Sequence, residues 1–383
     1  MKIVRVTSTP LNVPLHIDVV GLKRSSSHSV CYVEVETDTG LIGHGVTSIT
    51  EEDVIAQIVN GVAGPAIIGD DPLATERIWE KLYWLMLPRG QTGYGAHALA
   101  AIDVALWDIK GKALGQPIWR LLGGAHPKAP VYATFGFGFF DREQIAAAAK
   151  LWVQNGFTRL KMTVGDAALR RRDSTPLMEA IREDAARVRA VREAVGPDVQ
   201  LFIDANCNLD LYHATKLAEM VKPYDIAFFE EPITQNDTIA MAQFRRSTGM
   251  ALACGQNEGL AFRFRDLMVA GAIDYAQPHV LITGGFTQCA KIAGMAAAFN
   301  LSVANGGAWG FHNLHLQAGV SNGSLVEHHL MTVELCKQIF VDLPMPSDGF
   351  FMAPEAPGLG FEPNRDAIRE IAKRPSSKGK GKG

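Results

Sequence analysis

Six acidic or polar residues recur through the second half of this 383-residue chain, each at the end of a short apolar run. Successive members are 22 to 26 residues apart, about the length of one strand–helix unit. They are Asp204, Glu230, Gln256, His279, Asn305 and Glu327. Carboxylate and amide oxygens suit a hard divalent cation such as Mg²⁺, and histidine suits proton transfer near neutral pH. The spacing therefore predicts a catalytic, metal-binding end of a parallel barrel.

The elements that would position these residues alternate between strand and helix patterns up to about residue 340. Eight strands are predicted, at 131–135, 158–163, 200–204, 226–230, 251–255, 274–277, 301–304 and 324–326. Eight is the number that closes a (β/α)8 barrel of the TIM type, so the predicted fold class is α/β.

An α+β domain is predicted before the barrel. Its strand patterns lie at 2–14, 31–37 and 41–47, and its helix patterns at 51–67, 72–87 and 96–114. The predicted domains are therefore residues 1–125, the barrel at 126–340, and a segment at 341–383 that returns to the first domain. The tail from Ser376 has the composition of a disordered end.

Composition limits the classes of partner and compartment. The net charge of −3 gives no reason to expect nucleic acid or an anionic membrane as a partner. No apolar run approaches the roughly 20 residues that cross a bilayer, and the chain opens into a strand pattern without a leader. Five widely spaced cysteines form no disulfide framework, which predicts reduced thiols in a cytoplasm.

Five segments carry a resemblance to a known family. They are ALAAIDVALWDIKGKALGQPIWRLLGG (98–124), RLKMTVG (159–165), FIDANCN (202–208), FFEEP (228–232) and QPHVLITGG (277–285). In this order they resemble the enolase superfamily, and within it the mandelate racemase and acid-sugar dehydratase group. The resemblance implies an N-terminal domain that caps the barrel and Mg²⁺ held by three acids. The metal binds a substrate carboxylate while a barrel residue removes the α-proton, giving an enediolate that fixed positive charge must stabilise.

Two of the three metal ligands implied by the resemblance are present in this sequence, and the third is replaced. Asp204 and Glu230 match the first two acids, and Gln256 stands where the third is expected. An amide oxygen can coordinate but adds no charge, so we expect weaker metal binding and stronger polarisation of the substrate. Glu258, two residues further on, is the alternative third ligand.

The lysine pair of the family is also incomplete. Lys161 matches its first lysine, and Thr163 replaces the second, which usually transfers the proton on that face. A threonine hydroxyl is not a base near neutral pH without help. Lys161 is therefore expected to hold the substrate carboxylate or enediolate, or to act as the base if its pKa is depressed.

On the opposite face, many relatives use a histidine after the seventh strand and an aspartate after the sixth. Here the sixth-strand residue is His279 and the seventh is Asn305, so His279 is the predicted base. His312 and His315 are rivals, and His312 is the one expected to reach the pocket. Glu327 matches an acid that donates a hydrogen bond to the substrate carboxylate, which requires a raised pKa.

The predicted function is Mg²⁺-dependent removal of an α-proton from a small hydroxy-carboxylate. Loss of the second lysine favours one-base elimination of water, from an acid sugar, over racemisation. The alternatives are an isomerase (racemase, epimerase or cycloisomerase) with Lys161 and His279 facing one another, and a barrel that only binds a ligand. The resemblance also implies a homo-oligomer and substrate-covering loops at 16–28, which includes Arg24, and at 47–52.

Overall fold

A three-stranded antiparallel sheet and five helices form the N-terminal part of the computed structural model, which describes residues 1–48, 51–89 and 91–374. The strands are β1 (Ile3–Val19), β2 (Leu22–Thr37) and β3 (Ile42–Ser48), in that order across the sheet. The helices are α1 (Glu52–Ile58), α2 (Gly64–Ile67), α3 (Thr75–Met86), α4 (Tyr94–Leu114) and α5 (Ile118–Leu121). A π-helical segment, Val59–Ala63, joins α1 to α2 within the helix predicted at 51–67.

The prediction of a loop at 16–28 is wrong, because these residues continue a long β-hairpin. Ile17 pairs with Arg24, and the chain turns at Val20 and Gly21, both with positive φ. The buried alternation of β1 runs on past Pro14, since an edge strand tolerates the missing N–H of proline. The second predicted loop, at 47–52, includes residues 49 and 50, which lie outside the described residues.

Eight parallel strands form the barrel, which confirms the predicted fold class. They are β4 (Lys128–Gly136), β5 (Arg159–Thr163), β6 (Gln200–Asp204), β7 (Ile226–Glu230), β8 (Leu252–Cys254), β9 (Tyr275–Ala276), β10 (Ser302–Val303) and β11 (Val326–His329). The strands are hydrogen-bonded in sequence order, with β11 beside β4. Backbone bonds from Ser324 N to Val303 O (2.9 Å) and from Asn305 N to Leu325 O (2.8 Å) complete the circle.

Helices cover the outside of the barrel. They are α6 (Arg142–Gln154), α7 (Leu177–Val195), α8 (Leu211–Val221), α9 (Thr238–Thr248), α10 (Leu260–Val269), α11 (Gly285–Ala298), α12 (Gly310–Gly319) and α13 (Leu330–Ile339). No helix among the described residues combines the length and apolarity that a bilayer crossing requires.

The predicted strands agree with the observed ones best in the middle of the barrel. The third and fourth predicted strands have the observed bounds, whereas β9 and β10 are only two residues long. The predicted bounds of the eighth strand, 324–326, are wrong, because the strand is observed at Val326–His329. Glu327 therefore lies inside the strand, and two further residues follow it.

The C-terminal segment runs along the barrel and back to the first sheet. It contains β12 (Phe340–Val341), β13 (Phe350–Met352), β14 (Glu362–Pro363) and α14 (Arg365–Ala372). Strand β13 pairs with the start of β4, and Arg365 Nε donates to Glu34 Oε1 of β2 at 2.8 Å. The division at residues 125 and 340 remains a prediction, and the tail from Ser376 lies outside the described residues.

Helix α4 fixes the N-terminal part to the barrel. It is buried on most of its faces, and its Asp103 accepts hydrogen bonds from the hydroxyl (2.6 Å) and backbone N–H (3.0 Å) of Thr287 in α11. Trp79 of α3 donates to the carbonyl of Gly284 at 2.7 Å. These bonds place the N-terminal sheet beside the open end of the barrel.

Candidate active site

Lys161 lies at the centre of a buried cluster of charges, called here the carboxylate cage. Its Nζ is 2.8 Å from Glu230 Oε2, 3.1 Å from Glu327 Oε1 and 3.3 Å from Asp204 Oδ2. All four side chains are buried. Burial lowers the pKa of Lys161, but the carboxylates outweigh it and hold that pKa well above its usual value. Lys161 is therefore an ammonium group at neutral pH.

The three carboxylates of the cage exceed the charge of the one ammonium group. Burial raises the pKa of Asp204, and it raises the pKa of Glu230 well above its usual range, with the neighbouring Asp204 adding to the effect. Burial alone would raise the pKa of Glu327. The nearby charge of Lys161 and several smaller contributions outweigh burial, so the pKa of Glu327 is lowered. The predicted role of Glu327 as a hydrogen-bond donor requires the opposite shift. A further cation would relieve the surplus negative charge.

Gln256 directs its amide nitrogen toward Glu231, and its amide oxygen lies near Gly307. Its Nε2 donates to Glu231 Oε2 at 2.9 Å, and because a carboxylate only accepts, the amide nitrogen must face Glu231. Gln256 borders the central cavity, whereas the carboxylate of Glu258 accepts from Arg263 Nε and Asn236 Nδ2, both at 3.0 Å. Gln256 is thus better placed than Glu258 as a third oxygen ligand.

The donor set of the cage fits a hard divalent cation. Glu230 Oε1 is buried and makes no hydrogen bond with a described residue, so one carboxylate oxygen is left for a cation. Asp204 and Gln256 both border the cavity. Within the described part of the chain, no three His, Cys, Asp or Glu side chains form a metal site. A site here combines two carboxylates with an amide oxygen, which are ligand types that Mg²⁺ accepts.

His279 lies behind the cavity wall and is fully buried. Its Nδ1 accepts from the backbone N–H of Leu281 at 3.1 Å, and its Nε2 is 3.2 Å from the carbonyl oxygen of Gly307. Since an N–H only donates and a carbonyl only accepts, the ring carries its proton on Nε2. Burial lowers the pKa of His279 to about 4, so the ring is neutral with both nitrogens engaged.

Asn305 and Thr163 both make hydrogen bonds to backbone groups. Asn305 Nδ2 donates to the carbonyls of Gly306 (2.8 Å) and Ala308 (3.1 Å), and its Oδ1 accepts from the N–H of Glu327 at 3.1 Å. Asn305 is fully buried and holds the turn after β10. Thr163 borders the cavity, with its hydroxyl donating to Gly136 O at 3.0 Å.

His312 faces aromatic rings instead of the cavity. Its ring centroid is 5.0 Å from that of Phe361, 5.5 Å from Phe340 and 5.7 Å from Trp309. Neither ring nitrogen hydrogen-bonds to a described residue, and burial holds the pKa of His312 well below its usual value. His315 is also buried, with Nε2 2.9 Å from Leu359 O. The structure therefore does not bring the α12 histidines to the cage.

A cavity of about 630 Å³ opens above the carboxylate cage. Its floor includes Lys161, Asp204 and Glu327, and its wall takes residues from the N-terminal sheet as well as from the barrel. Those from the sheet are Arg24 and His28 of β2. The cavity therefore combines an acidic floor with a rim formed partly by the first domain.

The sequence matches two family models over most of its length. Residues 144–367 match the model described as Enolase C-terminal domain-like, and residues 1–123 match the Mandelate racemase / muconate lactonizing enzyme, N-terminal domain. The chain belongs to the mandelate racemase and muconate lactonizing enzyme group of the enolase superfamily. The resemblance inferred from the sequence is confirmed.

Similar proteins in this superfamily include isomerases and dehydratases. The 3,6-anhydro-alpha-L-galactonate cycloisomerase of Streptomyces coelicolor is 31% identical over 349 residues, covering 89% of this chain and 90% of that protein. The arabinonate dehydratase of Saccharolobus solfataricus is 28% identical over 362 residues, covering 92% and 93%. A racemase from Streptomyces coelicolor A3(2), crystallised with bound magnesium, has a TM-score of 0.86 at 27% identity, covering 96% of this chain and 99% of that one.

Several cavity residues of this superfamily member were not among the sequence candidates, and one of them is a histidine. His329, the last residue of β11, borders the cavity with Glu327. Side chains alternate between the two faces of a strand, so residues 327 and 329 share a face. This signal was present in the run LVEHH, but the strand was predicted to end at residue 326.

Proposed function

We propose that this chain is a Mg²⁺-dependent hydro-lyase. It removes the proton alpha to the carboxylate of an acid sugar or related hydroxy acid, and the resulting enediolate expels the β-hydroxyl as water. The carboxylate cage carries this proposal, because it places the ammonium group of Lys161 and an unpaired oxygen of Glu230 beneath a cavity of about 630 Å³. Acid-sugar chemistry is supported by relatives that include an arabinonate dehydratase and a cycloisomerase.

Asp204, Glu230 and Gln256 would hold Mg²⁺, which when bound polarises the substrate carboxylate and makes the α-proton more acidic. Lys161 adds positive charge beside the developing enediolate, and the carboxylates around it raise its pKa. Glu327 holds Lys161 in place through its ionised carboxylate. The predicted roles of Asn305 and Thr163 become positioning roles, through the turn after β10 and the end of β4.

An isomerase remains the second candidate, since two cycloisomerases are among the relatives. Its predicted arrangement, with Lys161 and His279 on opposite sides of the substrate, is not supported by the positions of these side chains. A dehydratase yields a product lighter by one water, and an isomerase yields a product of unchanged mass. The two functions are therefore separated by mass and by the site of deuteration.

The test is incubation with Mg²⁺ in D₂O against acid sugars and smaller 2-hydroxy acids, followed by NMR. We expect a 2-keto-3-deoxy product from the wild type. Lys161→Met should lose at least about 100-fold in turnover, because fixed charge beside the enediolate disappears. Lys150→Met, at an exposed position on α6, is the matched control and should retain activity. Inversion or exchange without loss of water would establish the isomerase, and silence together with no Mg²⁺ binding would leave a binding barrel.

We also infer that the chain forms a homo-oligomer in a cytoplasm. Large apolar side chains such as Trp84 and Val269 are 65% and 70% exposed, which favours association. All five cysteines are free thiols, which fits a reducing compartment. Sedimentation equilibrium tests the first inference, and a monomer at micromolar concentration would contradict it. Fractionation of the native host tests the second.

A further inference from the structure

A chain of hydrogen bonds reaches Gln256 from outside the cavity. Its members, called here the support network, are Arg263, Glu258, Asn236 and Glu231, in that order from the outside inward. They belong to α10 and to the segments that follow β7 and β8. None of the four borders the cavity, whereas Gln256 does. The network therefore touches the candidate metal site only through Gln256.

Asn236 lies at the centre of the support network. Its Nδ2 donates to Glu231 Oε1 and to Glu258 Oε1, both at 3.0 Å. Because an amide nitrogen carries two hydrogens and a carboxylate only accepts, both donors are used and the orientation of the amide is fixed. The side chain is 1% exposed, and its Oδ1 accepts from the thiol of Cys207 at 3.5 Å. Asn236 thus joins two carboxylates of neighbouring segments without adding a charge.

Arg263 of α10 holds Asn236 from the outer side. Its Nε donates to Glu258 Oε2 at 3.0 Å, and its Nη2 donates to the backbone carbonyls of Asn236 (2.7 Å) and Gln235 (3.0 Å). The planar guanidinium therefore ties the segment after β7 to the segment after β8. Asn236 has a φ of 48°, a left-handed conformation in which asparagine is enriched among non-glycine residues. Its backbone is thus fixed by Arg263 while its amide faces the two carboxylates.

Glu231 transmits the position of Asn236 to Gln256. Its Oε1 accepts from Asn236 Nδ2, and its Oε2 accepts from Gln256 Nε2 at 2.9 Å. With the amide nitrogen turned to Glu231, the amide oxygen of Gln256 is the atom left for a cation. The terminal torsion of a glutamine is roughly two-fold, so a displaced Glu231 would let nitrogen and oxygen exchange places. An amide nitrogen in the place of the oxygen would not ligate Mg²⁺.

We propose that Asn236 is a positioning residue for the candidate metal site, and that it acts on Gln256 through Glu231. The inference rests on the metal site of the proposed function, and it deepens that function by naming the residue that keeps the third ligand in place. Residues that orient a metal ligand from behind contribute about 10- to 100-fold to metal affinity. Because Asn236 is uncharged and lies outside the cavity wall, it changes the orientation of the ligand and not the charge of the site.

The experiment is a calorimetric titration of the full-length protein with Mg²⁺ in the absence of substrate. Asn236→Gly removes the amide and keeps the left-handed backbone, which glycine adopts readily, and Mg²⁺ should bind about tenfold more weakly. Asn236→Asp keeps the size but replaces both donors by acceptors, so it should also weaken binding. Asn300→Gly is the matched control, because Asn300 also has a positive φ (56°), is exposed and does not border the cavity. It should bind Mg²⁺ as the wild type does.

The outer end of the network is tested by Arg263→Met, which should weaken Mg²⁺ binding in the same direction. Arg245→Met is its control, since Arg245 of α9 also pairs with an acid, Asp274 at 2.8 Å, and neither residue borders the cavity. Urea unfolding in EDTA measures the stability of all variants. Equal losses of stability in Arg263→Met and Arg245→Met, with Mg²⁺ affinity lost only in the first, would separate positioning from a general effect on the fold.

Failure of this inference is distinguishable from failure of the proposed function. If the wild type binds Mg²⁺ and dehydrates an acid sugar while Asn236→Gly binds Mg²⁺ equally well, Asn236 does not position Gln256 and the proposed function stands. Unchanged binding by Asn236→Gly with tighter binding by Asn236→Asp would show that charge alone sets the affinity. If Asn236→Gly binds Mg²⁺ more weakly but the wild type converts no hydroxy acid, the positioning role stands and the proposed reaction fails. A wild type that does not bind Mg²⁺ would overturn both.

Discussion

The orientation of Gln256 depends on Glu231, the second carboxylate of FFEEP. Gln256 Nε2 and Asn257 Nδ2 both donate to Glu231 Oε2, at 2.9 and 2.7 Å. Glu231 is fully buried, and burial followed by the nearby Asp204 raises its pKa. A carboxylate at position 256 would meet this second carboxylate at hydrogen-bond distance. The amide therefore offers an oxygen to the cavity without adding a charge beside Glu231.

The variant Gln256→Glu should separate the effect of residue 256 on metal affinity from its effect on stability. We expect Mg²⁺ to bind about tenfold more tightly, because the site gains a charged oxygen ligand. Without metal, the free energy of unfolding should fall by about 1–3 kcal/mol, because a buried hydrogen bond becomes a contact between carboxylates. Calorimetric titration with Mg²⁺ and urea unfolding in EDTA measure the two quantities.

Asn257→Asp is the matched control, since it also removes a donor to Glu231 but does not border the cavity. It should lower stability without improving metal binding. Equal gains in Mg²⁺ affinity for both variants would mean that general negative charge, and not ligation by residue 256, sets the affinity.

At the residue scale, the positions that meet in the cage are predicted from the sequence more accurately than the roles of their side chains. Asp204, Glu230 and Lys161 meet there because adjacent strand ends must. The state of His279 could not be predicted, because it depends on the N–H of Leu281 and the carbonyl of Gly307, and loop backbone directions leave no residue pattern.

The turn after β10 links the barrel wall to the cage. Gly307, Ala308 and Trp309 have consecutive positive φ values, and Asn305 holds this turn through two carbonyls. The N–H of Ala308 then donates to Glu327 Oε2 at 2.6 Å. One short element thus orients the carboxylate that fixes Lys161 and also forms part of the cavity wall.

Asn305→Ala should loosen this turn. We expect the free energy of unfolding to fall by about 1–3 kcal/mol, because buried carbonyls lose their donor. KM should rise, since Gly307 and Ala308 border the cavity. Urea unfolding and steady-state kinetics on the same preparation measure both.

Asn322→Ala provides the comparison, because Asn322 Nδ2 also caps two carbonyls, of Ala293 and Leu301, but before β11 and away from the cavity. It should cost similar stability with KM unchanged. A KM that rises equally in both variants would contradict a specific role for the turn after β10.

Strands could be predicted where apolar runs are long. The predictions failed where polar residues interrupt such a run. Strands β6 and β7 carry continuous apolar runs, and their predicted bounds match. Strand β11 has the sequence VEHH, so its polar residues hid a strand that pairs fully with β4. Pro14 likewise suggested a strand end in β1, but edge strands tolerate proline.

At the scale of the whole molecule, the relation between the first domain and the barrel was not predictable from spacing. Asp103 and Thr287 are 184 residues apart in the chain, and their hydrogen bonds join α4 to α11. His28 reaches the cavity from a strand that the sequence suggested was a loop. Contacts at such separations follow from the packing of whole layers and leave no local pattern.

The neutral histidines buried throughout the molecule make its stability depend on pH. His328 packs against the rings of Trp152 and Phe157, and burial, with Lys337 and His329 nearby, lowers its pKa to about 4. The unfolded value is about 6.5. As pH falls below that value the unfolded chain takes up the proton first, so this contribution to stability is complete above about pH 6.5 and is lost toward pH 4.

His328→Phe isolates this effect, because it keeps an aromatic ring against Trp152 and removes the titrating group. Between pH 7.5 and pH 5, the free energy of unfolding of the variant relative to the wild type should rise by about 2 kcal/mol, the free energy of protonating one such group in the unfolded chain. Urea unfolding followed by circular dichroism at the two pH values measures the difference, and all other titrating groups cancel because both proteins contain them. A relative stability that does not change with pH would show that His328 is already protonated, or is accessible to water, in the folded protein.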